Sequence, residues 1–184
     1  MFSRRRLLAF GVGGAAALAA GSAFGWLRLG YSVPPDDRPI ALTVKELAVV
    51  RAIVDAVLPQ DGDLPAGLAL GVHQRIDEEV WAQSDAVRAD LKSAIGAVEH
   101  LPPLFGFAGR LTRLDPPARL AALDAMARRG PGPIVQAVGA LRQLCALFYY
   151  GHPAVWPALG YGGPRVAASP PASAARYAAL RAGR

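Results

Sequence analysis

The sequence predicts an all-α fold, an irregular bundle of about five to six helices that follows an N-terminal export leader. Apolar residues recur at three-to-four spacing in several segments, Pro and Gly separate these segments, and no run alternates apolar and polar residues as a strand does. The chain has 184 residues, of which 53% are hydrophobic and 18% charged. This length and composition suit one globular domain rather than a disordered chain.

The leader occupies residues 1–30 and begins with a basic segment. An uncharged run rich in Gly and Ala follows from Leu7 to Leu27, and small residues near its end offer a cleavage site. The pattern resembles a twin-arginine export signal, whose paired arginines and following apolar positions are filled by Arg4, Arg5, Leu7 and Leu8. A membrane anchor is the alternative, because such a run is just long enough to span a bilayer. Both interpretations predict a periplasmic domain, which stays associated with the membrane if the leader is not cleaved.

A Pro-punctuated linker, YSVPPDDRPIAL at residues 31–42, connects the leader to the first helix. Thr43 is placed to cap this helix, and Glu46 three residues later completes a capping box. Pro59 ends the helix, because proline cannot continue it. We expect residues 43–167 to form the helical domain and residues 168–184 to form a C-terminal tail with a short helix.

Three further helices follow the loop QDGDLPAG. The second helix is expected from about Leu68, with an apolar side formed by Val72, Ile76, Val80 and Trp81. Ser84 begins the third helix, which ends near the segment HLPP. Asp115 as the cap and Pro116 in the first turn mark the start of the fourth, which ends at the GPGP break at residues 130–133.

The fifth helix, IVQAVGALRQLCALFYY, is the most apolar segment after the leader, and we expect it to be the central core helix. It contains the single cysteine, Cys145, among apolar neighbours. A buried, unreactive thiol is expected there, and a free thiol used between chains is the alternative. A short sixth helix, ASAARYAALR at residues 172–181, is expected on the surface.

Sequence motifs for catalysis, cofactors and metals are missing. The chain has no dinucleotide- or phosphate-binding glycine motif outside the leader. Its three histidines, His73, His100 and His152, fall in separate segments without ligand spacing. The acids from Asp77 to Glu79 point in different directions round a helix, which favours a solvated face. We therefore expect no catalytic residues, cofactor or metal in this chain.

The formal net charge of the chain is +6, from 20 basic and 14 acidic residues. Three of the arginines, at positions 4 to 6, belong to the leader. No cluster of Lys and Arg is interleaved with aromatic residues, as single-stranded nucleic-acid binders require. The sequence therefore predicts no nucleic-acid partner.

An uncharged segment rich in aromatic residues, Gly and Pro follows the fifth helix: FYYGHPAVWPALGYGGP, at residues 148–164. Gly151 is placed to cap the helix and Pro153 prevents its continuation, so the rings can fold back as a structural cap. Some of the rings can instead face a partner protein, since Tyr and Trp dominate interface hot spots. The candidate partner-interface residues are Tyr149, Tyr150, Trp156 and Tyr161.

Three segments carry a family resemblance. The first is residues 42–80. It contains a D-x-I/L-L-P turn at Asp55 to Pro59 and a Pro- and Gly-rich step at Pro65 to Gly67. A Gly-Val pair at Gly71-Val72 and an Ile-Asp pair at Ile76-Asp77 follow. The second is FAGRLTRLDPPARLAALDAM. The third is a pair of tyrosines, a tryptophan and L-G-Y-x-G-P, here Tyr149, Tyr150, Trp156 and Leu159 to Pro164. With the leader, these segments resemble the gluconate 2-dehydrogenase small (gamma) subunit family over nearly the whole chain.

The resemblance implies a non-catalytic accessory subunit of a membrane-associated sugar or polyol dehydrogenase. Its partner would be a larger flavoprotein of the glucose-methanol-choline (GMC) oxidoreductase type, which binds FAD and often lacks its own export signal. The leader would then carry that flavoprotein through the twin-arginine translocase, and the small subunit would stabilise it. In related complexes a multi-haem cytochrome c subunit passes electrons to the respiratory chain. FAD is therefore expected in the partner and no cofactor in this chain.

Two other functions stay open at this point. One is a stand-alone exported or membrane-tethered helical binding protein, which would have a concave pocket and would bind no flavoprotein. The other is an enzyme with an unrecognised site, which would require a polar pocket with convergent titratable groups.

Overall fold

The computed structural model describes residues 30–58, 62–164 and 172–183. Residues 33–184 form one compact unit, and residues before Val33 belong to another. The described residues contain no strand and six α-helices, which confirms the all-α prediction: α1 (Val44–Val57), α2 (Val72–Ala82), α3 (Asp85–His100), α4 (Pro116–Arg129), α5 (Gly132–Tyr150) and α6 (Ala172–Ala182). Short 3₁₀ turns lie at Pro102–Phe105, Leu111–Arg113 and Pro157–Leu159.

Several predicted features fall on positions outside the described residues. These are the export-signal residues Arg4, Arg5, Leu7 and Leu8, and the helix-ending Pro59. Among the helices that are described, none combines the length and the apolarity that crossing a membrane requires.

The predicted helix caps are confirmed. The hydroxyl of Thr43 accepts a hydrogen bond from the Glu46 backbone N–H (3.2 Å), and the Glu46 carboxylate accepts one from the Thr43 N–H (2.7 Å). Ser84 caps α3, and Asp115 caps α4 by accepting from the Ala118 N–H at 2.8 Å. Each such cap contributes about 1 kcal/mol by satisfying a helix-terminal donor.

Helix α2 begins at Val72, four residues later than the expected Leu68. The residues between form a turn that ends at Gly71, whose φ of 69° lies in the left-handed region that favours glycine. Before this turn, Gly67 packs against the end of α1, and a Cβ atom there would overlap the side chain of Leu58. The Pro- and Gly-rich step therefore allows the loop to lie directly on α1.

The core surrounds α1, which contacts α2, α3, α4 and α5. Six of the 14 residues of α1 are buried, whereas only four of the 19 residues of α5 are. The expectation that the fifth helix is the central core helix is confirmed in part. Helix α5 also contacts α1, α2, α3 and α4, but it packs through one side and leaves the other uncovered. Among the buried apolar residues are Leu47, Val50, Ile53, Ile76, Val80, Ile95, Val98, Leu123, Met126 and Leu141.

A buried carboxylate ties both ends of this unit to α2. Asp77 is 1% exposed, and its oxygens accept from the backbone N–H groups of Ile40, Ala41 and Leu42 at 2.7, 3.1 and 2.7 Å. It also accepts from the hydroxyl of Tyr177 on α6 at 2.6 Å. The prediction of a solvated face at residues 77–79 is therefore wrong for Asp77. Its carboxylate can be buried because four hydrogen-bond donors compensate its loss of hydration.

A second buried cluster lies beside the first and holds the linker near its start. The Asp37 carboxylate accepts hydrogen bonds from His73 Nε2 (2.9 Å) and Gln74 Nε2 (2.7 Å) and forms an ion pair with Arg51. Burial alone would raise the pKa of Asp37, but these hydrogen bonds and the charges of His73 and Arg51 lower it. Arg181 of α6 joins the cluster by donating to Gln74 Oε1 at 2.8 Å. The linker and the final helix are thus packed parts of the same unit.

Candidate partner surface

The aromatic segment after α5 forms the cap that its sequence suggested. The Gly151 N–H donates to the Leu147 carbonyl (3.0 Å), and the chain then folds back over the end of the helix. The indole N–H of Trp156 donates to the Tyr150 carbonyl (3.0 Å), and its ring meets the Tyr161 ring edge-on at 5.5 Å. Local contacts therefore fix the positions of the rings.

The four candidate interface residues divide into two groups. Tyr149 has no exposed surface, and its hydroxyl donates to the Pro65 carbonyl at 2.8 Å, so it is a core residue rather than a contact residue. Its ring supports that of Tyr150 edge-on, with centroids 5.1 Å apart. Tyr150 and Tyr161 are 45% and 50% exposed, and Trp156 is half-buried. The prediction of a partner interface stays with these three.

The histidines lie in three different environments. His73 contacts Asp37, and burial lowers its pKa although the carboxylate opposes this. His100 accepts from Lys45 Nζ at 2.8 Å, and burial together with the Lys45 charge lowers its pKa. His152 Nδ1 accepts from the Ala154 N–H at 3.2 Å. The described part of the chain contains no group of three or more His, Cys, Asp or Glu that could hold a metal ion.

The other buried groups that could react, Glu99, Arg110 and Cys145, are held by contacts within the fold. Glu99 and Arg110 are both fully buried and pair at 3.2 Å, and Glu99 also accepts from the Thr112 N–H and hydroxyl at 3.0 and 2.6 Å. This pair fastens α3 to the turn before α4. Cys145 is buried, and burial raises the pKa of its thiol to about 12, which keeps it protonated and unreactive.

The exposed residues of α5 are uncharged, and several of them are apolar. Leu147 is 61% exposed, and Val135 and Tyr150 are exposed on the same helix. Helices of soluble proteins usually place polar residues on the face that is not buried. A helix that is apolar beyond its buried stripe therefore indicates a surface that another molecule covers.

Three concavities follow one side of α5 from its start to its end, and we call them together the α5 groove. The first, of about 530 Å³, lies between α3 and α5, and the second, of about 330 Å³, shares Val87, Leu91 and Ala140 with it. The third, of about 650 Å³, shares Leu147 with the second and ends at α6. The groove is lined mainly by Val87, Leu91, Ala94, Ala97, Ile134, Ala137, Ala140, Leu144, Leu147 and Phe148.

Sequence reasoning missed this groove because it followed the aromatic segment and placed α5 in the core. A signal was nevertheless present. The apolar residues of α5 occupy more than the one side that packs against the other helices, and Ala, rather than Leu, recurs where α3 and α5 face each other. Only the arrangement of the helices shows that the excess apolar side is unfilled.

Comparison with protein families agrees with the architecture. The family model described as gluconate 2-dehydrogenase subunit 3 matches residues 44–163, from the start of α1 to the end of the aromatic cap. No curated protein and no solved structure matches the chain.

Proposed function

Because the chain belongs to the gluconate 2-dehydrogenase subunit 3 family, we propose that it is a non-catalytic accessory subunit of a periplasmic, FAD-dependent sugar or polyol dehydrogenase. In this role it escorts the GMC-type flavoprotein through the twin-arginine translocase and then stabilises it. A multi-haem cytochrome c subunit is the proposed electron acceptor within the complex. The family name supports the assignment of the chain as a subunit of a dehydrogenase complex.

The observation that carries the proposal is the uncovered apolar side of α5. A stable domain that leaves Leu147, Val135 and Tyr150 exposed on its most apolar helix has a surface suited to permanent association. The same helix is anchored firmly on its other side by Leu141, Cys145 and Tyr149. The apolar surface is therefore presented by a well-packed element.

The buried polar groups also support an accessory role. Asp77, Asp37 and Glu99 each bind backbone groups or side chains of the fold itself, and none is directed into the α5 groove. The clusters around Asp77 and Asp37 join α2 to the linker and to α6. The cluster around Glu99 joins α3 to the turn that follows it. Their work is structural, which fits a subunit that contributes a surface rather than a reaction.

The escort role is tested by co-expression with the GMC-type flavoprotein that is proposed as the partner. Flavin-dependent dehydrogenase activity should reach the periplasm when the intact chain is present. It should remain in the cytoplasm when the chain is omitted, or when Arg4 and Arg5 are both replaced by Lys. A flavoprotein fused to an independent export signal serves as the control for folding. Equal periplasmic activity with and without the chain would remove the escort role.

One observation favours the stand-alone binding protein as a second candidate. The concavity of about 650 Å³ at the end of the α5 groove has Arg75, His152 and Arg181 among its polar residues, and it is large enough for a small ligand. On this alternative the purified chain would be a monomer that binds no flavoprotein. Pull-down with the proposed flavoprotein partner separates the two functions.

A further inference from the structure

A segment bound in the α5 groove must satisfy its backbone hydrogen bonds within itself. The walls of the first two concavities are the sides of α3 and α5, whose backbone groups are paired within each helix. An extended segment laid on these apolar side chains would lose backbone hydrogen bonds to water without replacing them. A helix keeps those bonds internal, and an amphipathic helix would bury its apolar stripe in such a groove.

The floor of the groove is suited to the close approach of a helix. Small residues line much of the first concavity, where α3 and α5 face each other, and larger apolar side chains line much of the second. Since α5 has 19 residues, the groove runs for about 28 Å at 1.5 Å per residue. A partner helix of about five turns would fill this length.

The charges along the groove give the occupant a direction. Among the described residues lining the first two concavities, the charged ones are both acids, Asp90 and Glu79. The third concavity is lined instead by Arg75 and Arg181, with Glu78 as its acid. A helix carries partial positive charge at its N-terminus and partial negative charge at its C-terminus. Its N-terminal half therefore fits near the acids, and its C-terminal end fits near the arginines.

A symmetric, groove-to-groove pairing of two copies of this chain does not fit this surface. Two identical grooves placed face to face are both concave, so neither supplies the ridge that would fill the other. The complementary object is a convex, apolar helix.

We propose that the α5 groove binds one amphipathic helix of the flavoprotein partner, parallel to α5, with basic side chains in its first half and acidic side chains near its C-terminus. This rests on the proposed function, since it takes the flavoprotein as the partner. It adds the surface, the secondary structure of the bound segment and its orientation.

A matched pair of Ala-to-Arg substitutions tests the groove. Ala140 lines both the first and second concavities, whereas Ala121 lies on α4 and does not line them. Both positions are exposed. In co-expression with the proposed flavoprotein partner, Ala140→Arg should weaken the complex by about tenfold or more, as loss of a central interface contact does. Ala121→Arg, which makes the same change outside the groove, should leave binding unchanged.

The outcomes separate the two proposals. If the unmodified chain and Ala140→Arg hold the flavoprotein equally well, the groove proposal is overturned while the accessory function stands. If the unmodified chain holds no flavoprotein, both are overturned. Circular dichroism and urea unfolding of Ala140→Arg and Ala121→Arg establish that a loss of binding is not a loss of folding.

Photo-crosslinking tests the orientation. A photoreactive residue at position 93, in the acidic part of the groove, should attach to the N-terminal half of one helix in the flavoprotein. At position 178, in the third concavity, it should attach to the C-terminal end of the same helix. The reverse order, attachment to a non-helical segment, or attachment to a second copy of this chain would each overturn the proposal.

Discussion

At the scale of single residues, Asp77 shows how a carboxylate with charged neighbours in sequence becomes a central structural group. Its donors come from residues 40–42 and from Tyr177, which lie 35 to 100 positions away in the chain. The pattern of three consecutive acids shows none of these partners. Burial, together with the hydrogen bond to Asp77, raises the pKa of Tyr177, so its hydroxyl stays a donor at any physiological pH.

We predict that Asp77→Ala lowers the free energy of unfolding by about 3 kcal/mol, because it leaves three backbone N–H groups and a tyrosine hydroxyl without their acceptor. Tyr177→Phe removes one of these hydrogen bonds and should cost about 1 kcal/mol. Urea unfolding followed by circular dichroism measures both. An Asp77→Ala variant no less stable than Tyr177→Phe would contradict the central role of the carboxylate.

Glycine positions provide a second residue-scale prediction. Gly96 lies inside α3 with open space around its Cβ position, so Gly96→Ala should stabilise the protein by about 0.5–1 kcal/mol. Gly67→Ala should destabilise it by about 1–3 kcal/mol, because the added methyl group overlaps Leu58 where the loop lies on α1. The thermal midpoints should move in opposite directions. An increase in both thermal midpoints would show that the domain accommodates a methyl group at position 67 without loss of stability.

At the scale of elements, helix boundaries were predictable where local chemistry decides them. Thr43, Ser84 and Asp115 each bond within three residues, so their caps can be recognised without tertiary information. The start of α2 depends on the turn at Gly71, and the position of α5 depends on which helices cover it. The α5 groove requires the relative placement of α3 and α5, which periodicity within either helix does not contain.

The aromatic cap yields a prediction at this scale. Trp156→Ala should lower stability by about 2 kcal/mol, because it removes the hydrogen bond to Tyr150 and the edge-on contact with Tyr161. Tyr161→Ala, at an exposed ring, should cost less than 1 kcal/mol in stability. If the cap also contacts the partner, Tyr161→Ala should weaken co-purification of the flavoprotein while the domain stays folded. Unchanged co-purification would restrict the cap to a structural role.

At the scale of the whole molecule, the stability should depend on pH through His73 and His100. The pKa values of His73 and His100 are lowered in the folded state, so the unfolded chain binds protons that the folded chain does not. Stability should therefore fall as the pH drops below about 6.5. The lowered pKa of Asp37 adds a further loss only under more acidic conditions, as the pH falls through its folded-state value.

Urea unfolding at pH 7.5 and at pH 5.5 measures this dependence. His73→Gln should show a smaller loss of stability between the two pH values than the unmodified chain, because one of the two histidines with a lowered pKa no longer titrates. His100→Gln should reduce the loss for the same reason. An equal loss for His73→Gln and the unmodified chain would contradict this origin of the pH effect.

Residues 33–184 form a helical domain in which Asp77 and Asp37 bind the linker, and its helix α5 exposes apolar residues. The most direct test of its proposed role is size-exclusion chromatography of the tagged chain after co-expression with the proposed flavoprotein partner, with absorbance recorded for protein and flavin. We expect a single complex with a fixed ratio of this chain to the flavoprotein, which carries flavin absorbance. This chain purified alone should carry none. Elution of this chain as a monomer, separate from a stable and active flavoprotein, would contradict it.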